Sequence, residues 1–284
     1  MQPLSFIKKS WLEEKWSIVL GLLSIACFIY AYHETFLWLY ERYNNPDSHY
    51  SHGFLIPFVS GYLIWQKKNQ LRKTVLTSSG IGLLLIILAL LIHIGSVWTH
   101  IFFTSGFSIL LLIVGFSLYL YGPQFTKSIS FPLGFLVFMF PLPMRAISAI
   151  SFPLKLLVAD AAAACIKGAG VPLLREGAII YLANTSLTIG DPCSGIRSLI
   201  SLLALGALIA YISQTGLAKK IIIFFAAIPI AIFTNILRVC ALILVANWWG
   251  GQWASPEHWF HATSGMAVFA ISMVLLIGLM KVLE

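Results

Sequence analysis

Residues 221–246 read IIIFFAAIPIAIFTNILRVCALILVA, and the only charged side chain in the run is Arg238. As a helix this run rises about 39 Å at ~1.5 Å per residue, more than the roughly 30 Å hydrocarbon core of a bilayer. The same character runs through the chain: of 284 residues, 59% are hydrophobic and 10% charged, with a mean hydropathy of +0.91. Soluble domains carry roughly 25% charged residues, so this chain has too little polar surface to fold in water. It reads as a single all-α, polytopic membrane domain over 1–284.

About eight segments approach the roughly 20 apolar residues of a transmembrane helix: 16–32, 54–65, 81–98, 102–121, 129–149, 194–211, 221–246 and 261–280. The second is long enough only with His52 and Gly53 included. The net charge of +8 comes from short basic clusters beside these runs, not from one basic face, so it signals topology and excludes nucleic acid as a partner. Lys8, Lys9 and Lys15 place the amino terminus in the cytoplasm. Lys67, Lys68, Arg72 and Lys73, then Lys127, Lys219, Lys220 and Lys281, agree with that orientation and bring the carboxy terminus to the same side. No small-residue cleavage site follows 27–32, so the first run is expected to stay as a span.

Four segments then face outward: 34–52, a turn near His100, 151–193 and 247–260. Lys155, Lys167 and Arg175 weaken the charge rule locally in the third, whose residues 152–166 form a helical, partly amphipathic piece suited to the interface or to a re-entrant dip. From Ala178 the pattern changes: Ile179-Ile180-Tyr181-Leu182, the turn Ala183-Asn184-Thr185-Ser186, then Leu187-Thr188-Ile189 predict a small β-hairpin that leads to Cys193. Cys27, Cys165, Cys193 and Cys240 are too scattered for a metal site or a disulfide scaffold, and no metal or other cofactor is expected.

Asp191-Pro192-Cys193-Ser194-Gly195 has the chemistry of a helix start, with Asp as N-cap and Pro at the first position. Cys193 would then be the second residue of the sixth span, where N–H groups and the helix dipole favour a thiolate; the plain reading is a buried structural cysteine. Arg197 follows one turn on. Arg238 lies about 27 Å along its span from Lys220, near the outward surface. A cation at the bilayer centre costs about 2.5–3.5 kcal/mol, so Arg238 either snorkels or meets partners; Asn235 on the same face favours partners. Ser255-Pro256-Glu257 reads as another helix start that presents His258 and His261, with Glu257 placed to orient His261. Cysteine, histidine and arginine together suit attack on an amide carbonyl through a thioester.

Several blocks resemble the exosortase/archaeosortase family: Tyr50-Ser51-His52-Gly53-Phe54-Leu55 with Pro57 and Trp65, Phe131-Pro132 through Phe140-Pro141-Leu142-Pro143, Cys193-Ser194-Gly195-Ile196-Arg197-Ser198-Leu199, Asn235-Ile236-Leu237-Arg238-Val239, and His261 with Gly265. The resemblance implies a membrane cysteine transpeptidase or protease of the bacterial inner membrane, working on its extracytoplasmic side, with Cys193, Arg238 and His261 as the catalytic triad. It implies as partners membrane lipid and exported proteins that end in a tripartite sorting signal: a short motif, often Pro-Glu-Pro, then one transmembrane helix, then a basic cluster. Arg197, Asn235, His52 and Tyr50 are the residues expected to bind that motif, with an interfacial polar belt as the other reading of the last two. Two other functions use the same residues: a multi-pass transporter with Arg238 as an intramembrane anion site, and a membrane cysteine acyltransferase.

Overall fold

The computed structural model describes residues 11–45, 49–190, 195–255 and 257–284, with side chains from Ile18 onward. Lys8, Lys9, Asp191, Pro192, Cys193, Ser194 and Pro256, and the side chain of Lys15, lie outside what is described. A backbone in hydrocarbon must satisfy its own hydrogen bonds, which a helix does. Among the described residues five helices are long and apolar enough to cross a membrane: α5 (Gly80–Trp98), α6 (Phe102–Leu120), α9 (Met144–Gly168), α11 (Leu217–Trp249) and α13 (Trp259–Leu283). A sixth span arises if α1 (Trp11–Ala31) and α2 (His33–Asn44), bent by 62° against each other, count as one. The chain is thus a helical, multi-pass membrane protein.

Three of the expected spans take other forms. The second is α3 (Ile56–Gln66), 11 residues long, preceded by a 3-10 turn at Ser51–Phe54. The sixth is α10 (Ile196–Ile212), 17 residues long. The fifth breaks into α8 (Ser130–Phe135), a 3-10 turn at Leu136–Met139 and an extended stretch before α9. The cause is Pro141 and Pro143: each lacks an N–H and pushes the residue before it out of the helical region, and Phe140 is extended (φ −89°, ψ 117°).

Segment 34–52, expected as a connection, holds α2. The bend before it is built around Tyr32, which is buried and stacks on His93 with ring centroids 3.8 Å apart. His93 Nε2 donates to the Ala31 carbonyl at 3.0 Å, and its Nδ1 accepts from the Ser105 hydroxyl at 2.8 Å. Thr35 and Ser105 share a further hydroxyl bond of 2.6 Å. Four helices, α1, α2, α5 and α6, therefore meet through polar groups that hydrocarbon cannot solvate, and the angle between α1 and α2 is held by them.

The strands form a three-stranded antiparallel sheet in the order β1 (Leu174–Glu176), β2 (Ile179–Tyr181), β3 (Ser186–Thr188). β2 and β3 pair Ile179 with Thr188 and Tyr181 with Ser186. β1, which the sequence reading did not contain, pairs Leu174 with Tyr181. Ile180, Leu182 and Ile189 pack on Val158, Ala162 and Ile166 of α9 and on Val239, Leu242, Ile243 and Ala246 of α11. α9 and α11 run side by side in the same direction here, the Cys240 thiol meeting the Ala162 carbonyl at 3.9 Å. α11 has 33 residues, about 50 Å of helix, so it exceeds the hydrocarbon core, and the sheet is built on one of its ends.

The opposite end is cationic. Lys67 Nζ donates to the Ser128 carbonyl at 2.6 Å and lies 5.5 Å from the centre of the Tyr211 ring. Lys220 Nζ donates to the Tyr211 carbonyl at 3.4 Å, and Lys219 Nζ to the Leu283 carbonyl. These contacts gather the ends of α3, α10 and α13, the start of α11 and the short α7 (Pro123–Ser128) into one layer.

Candidate active site

Arg238 points into the bundle, 7% exposed. Its guanidinium lies across the first turns of α13: Nη2 donates to the His261 carbonyl at 3.1 Å and Nε to the Ser264 hydroxyl at 3.3 Å. Ser264 in turn donates to the same His261 carbonyl at 2.8 Å. A Cβ on Gly265 would come to 3.4 Å from Nη2, so the guanidinium rests in contact with bare backbone there. A cation in an apolar span needs fixed acceptors to offset its lost hydration. The start of α13 supplies them.

His261 is 6% exposed. Its Nδ1 faces the Ala254 carbonyl at 3.2 Å. A carbonyl only accepts, so Nδ1 carries the hydrogen, and Nε2 is the acceptor nitrogen of the neutral ring. The short helix α12 (Gly251–Ala254) turns the chain so that this last carbonyl meets the ring. Glu257, expected in that orienting role, is exposed. The expected helix start also moves: α13 begins at Trp259 with His258 as N-cap, whose Nδ1 accepts from the Phe260 N–H at 3.2 Å. His258 also packs against Trp253, with ring centroids 4.5 Å apart and planes tilted by 47°, so its described contacts are those of a cap and a packing residue.

Asn235, 1% exposed, is three residues before Arg238 on α11, about 4.5 Å along the axis. It abuts Gly195, the N-cap of α10, which is left-handed (φ 78°, ψ 0°). A Cβ on Gly195 would fall 2.8 Å from both Cγ and Nδ2 of Asn235, inside van der Waals contact. Glycine is needed here twice over, for its backbone angle and for the closeness of the amide. Leu154 of α9 and Leu199 of α10 close the crevice beside them. The described part of the helix starts at Ile196, after the left-handed Gly195, and the expected helix start at Asp191–Cys193 lies outside the described residues.

The other expected binding residues form a second group. Arg197, the second residue of α10, is exposed. His52 Nδ1 and the Ser201 hydroxyl, one turn on from Arg197, are 3.1 Å apart. Tyr50 is buried, its ring 5.7 Å from that of His52 and its hydroxyl bonded to the backbone of Leu142. Burial pushes the Tyr50 phenol above its ordinary range and holds the His52 imidazole below its own. The structure therefore brings Asn235, Arg238 and His261 together at the start of α10 and sets Tyr50 and His52 on another part of that helix. Ser264, Ala254 and Ser201 were missed. Ser264 and Ser201 were signalled by spacing, three and four residues after His261 and Arg197 on one helical face; a backbone carbonyl such as that of Ala254 carries no sequence signal.

The family described as transmembrane exosortase (Exosortase_EpsH) matches residues 41–278. No curated protein and no solved structure matches the chain. The matched stretch contains the Ser51–Phe54 turn, Gly195, Asn235, Arg238 and His261, along with every span from α3 through most of α13. On that extent of agreement, the chain belongs to the transmembrane exosortase family.

Proposed function

We propose that this protein is a membrane cysteine transpeptidase or protease that cuts the carboxy-terminal sorting signal of exported proteins. The observation that carries the reading is the junction of α10, α11 and α13: Gly195 pressed on Asn235, and Arg238 one turn away bonded across the His261 backbone. Cys193 precedes Gly195 by two residues, a reach of at most about 7 Å of chain. His261 Nε2 takes the proton of the Cys193 thiol, the resulting thiolate attacks the scissile carbonyl, the Arg238 guanidinium stabilises the developing oxyanion, and His261 gives that proton to the leaving amine as the C–N bond breaks. A thioester acyl-enzyme results. An amine that attacks it completes a transfer to a cell-envelope acceptor, whereas water completes a hydrolysis.

The lysines gathered at the opposite end support an orientation with that end in the cytoplasm and the junction on the extracytoplasmic side of the inner membrane. A substrate tail of motif, transmembrane helix and basic cluster would then present its motif at the depth of Arg238. Arg197 on α10 and His52 in the Ser51–Phe54 turn beside it are suited to hold an acidic residue of the motif, with Tyr50 and Asn235 shaping its path. The test is co-expression with a tailed substrate: processing by the wild type and none by Cys193→Ala supports the reading, while equal processing by both defeats it. Mass spectrometry of the new carboxy terminus separates transfer, which adds an amine-linked group, from hydrolysis, which leaves a carboxylate.

A further inference from the structure

At the cationic end, α8, α10 and α11 leave a groove of about 450 Å³, lined by Phe131, Gly134, Phe135, Phe138, Ala207 and Phe224, with Ser130 at its edge. The walls are aromatic and apolar, so the occupant is hydrocarbon and not a hydrophilic solute. Two ammonium groups stand at its mouth. Phe131 stacks face to face on Tyr211, with centroids 3.8 Å apart and planes 1° apart, and Lys67 lies 5.5 Å from the centre of that same Tyr211 ring. Lys220 reaches the Tyr211 carbonyl and is one helical turn before Phe224.

Both lysines are half-buried and donate to backbone carbonyls, which satisfies hydrogen bonds without cancelling charge. The ion pair between described residues, Arg175 with Asp160, belongs to the sheet end, and no described acidic side chain is within salt-bridge distance of Lys67 or Lys220. Aromatic hydrocarbon walls under a pair of uncancelled cations match a single class of molecule, a phospholipid with an anionic headgroup. We propose that this groove holds one such lipid, its acyl chain against Phe131, Phe135 and Phe224 and its phosphate on Lys67 and Lys220. The helix of a substrate tail fits worse, because the basic cluster after it would meet the same two lysines. The proposal does not depend on the catalytic reading.

Gly134 makes it testable: a Cβ there meets no atom within 4 Å, so a larger side chain enters the groove without a clash. The full chain is reconstituted in nanodiscs of equal phosphatidylglycerol and phosphatidylcholine, and the lipid retained after detergent transfer is counted by native mass spectrometry. The wild type is expected to keep one phosphatidylglycerol in preference to phosphatidylcholine. Lys67→Gln and Lys220→Gln each lower that preference about fivefold, the effect of one surface cation on an anionic lipid. Gly134→Phe, and Ala207→Leu from the facing helix, abolish retention with both lysines intact. Equal retention of the two lipids by the wild type overturns the proposal. So does undiminished phosphatidylglycerol in Gly134→Phe and Ala207→Leu, which would make the attraction one of charge alone, and so does loss of substrate processing in those variants with lipid retention unchanged, which would assign the groove to the tail.

Discussion

Arg238 at the sheet end and Lys67 at the opposite end are both cations beside a bilayer, and the protein treats them differently. Arg238 is turned inward, 7% exposed, with its fork spread over a carbonyl and a hydroxyl of α13. Lys67 is half-buried, on one carbonyl and a ring face at the rim. A planar fork held at two points is fixed in direction, which is what stabilising charge at one atom requires. A compact ammonium on a flexible stem serves where only the sign of the charge matters, as in setting topology or attracting an anionic headgroup.

The sharpest way to break this contrast is Arg238→Lys, which keeps the charge and removes the fork. Processing of a tailed substrate is expected to fall by at least ~100-fold, the scale of losing one oxyanion donor; a variant that keeps a tenth of its rate would show that the charge alone suffices. Gly195→Ala comes next, because a left-handed backbone and a 2.8 Å approach to Asn235 are both disturbed. A loss of about 1–3 kcal/mol in stability is expected, read as a lowered Tm in detergent, together with loss of processing.

Ser264→Ala removes the acceptor for Arg238 Nε while leaving its bond to the His261 carbonyl. A drop of roughly tenfold in processing rate is expected, from a hydrogen bond to a charged group worth about 1.5 kcal/mol, with the Tm little changed. His93→Phe keeps the ring beside Tyr32 but loses its bonds to Ala31 and Ser105, a cost of about 1–2 kcal/mol that thermal unfolding measures. The smallest effect belongs to Glu257→Gln: with the Ala254 carbonyl orienting His261, both stability and processing should stay within about 0.5 kcal/mol of wild type. A large effect there would restore Glu257 as the partner of the imidazole.

Legibility in the sequence followed the range of the interactions. The long apolar runs of α5, α6, α11 and α13 are read correctly because length and hydropathy are local properties. Of the expected convergence of Cys193, Arg238 and His261, the structure describes the contact of Arg238 with the His261 backbone, and Cys193 lies outside the described residues. The 62° bend at Tyr32 was not legible, because what holds it is an imidazole some 60 residues away in sequence. β1 was invisible for a similar reason: Leu174-Arg175-Glu176 has no alternation of its own and becomes a strand by pairing with β2. The start of α13 was displaced by a residue whose capping value depends on its neighbours, His258 accepting from the Phe260 amide.

From the sequence alone come the membrane class, the family, the cationic side and the residue types available for chemistry, since each depends on composition, spacing or motif. Tertiary structure alone decided which backbone atoms hold the Arg238 guanidinium, which carbonyl sets the His261 tautomer, and that Lys67 and Lys220 meet at Tyr211, one over its ring and one on its carbonyl. Those are contacts between segments far apart along the chain, and no local pattern of side chains specifies where a distant carbonyl will point.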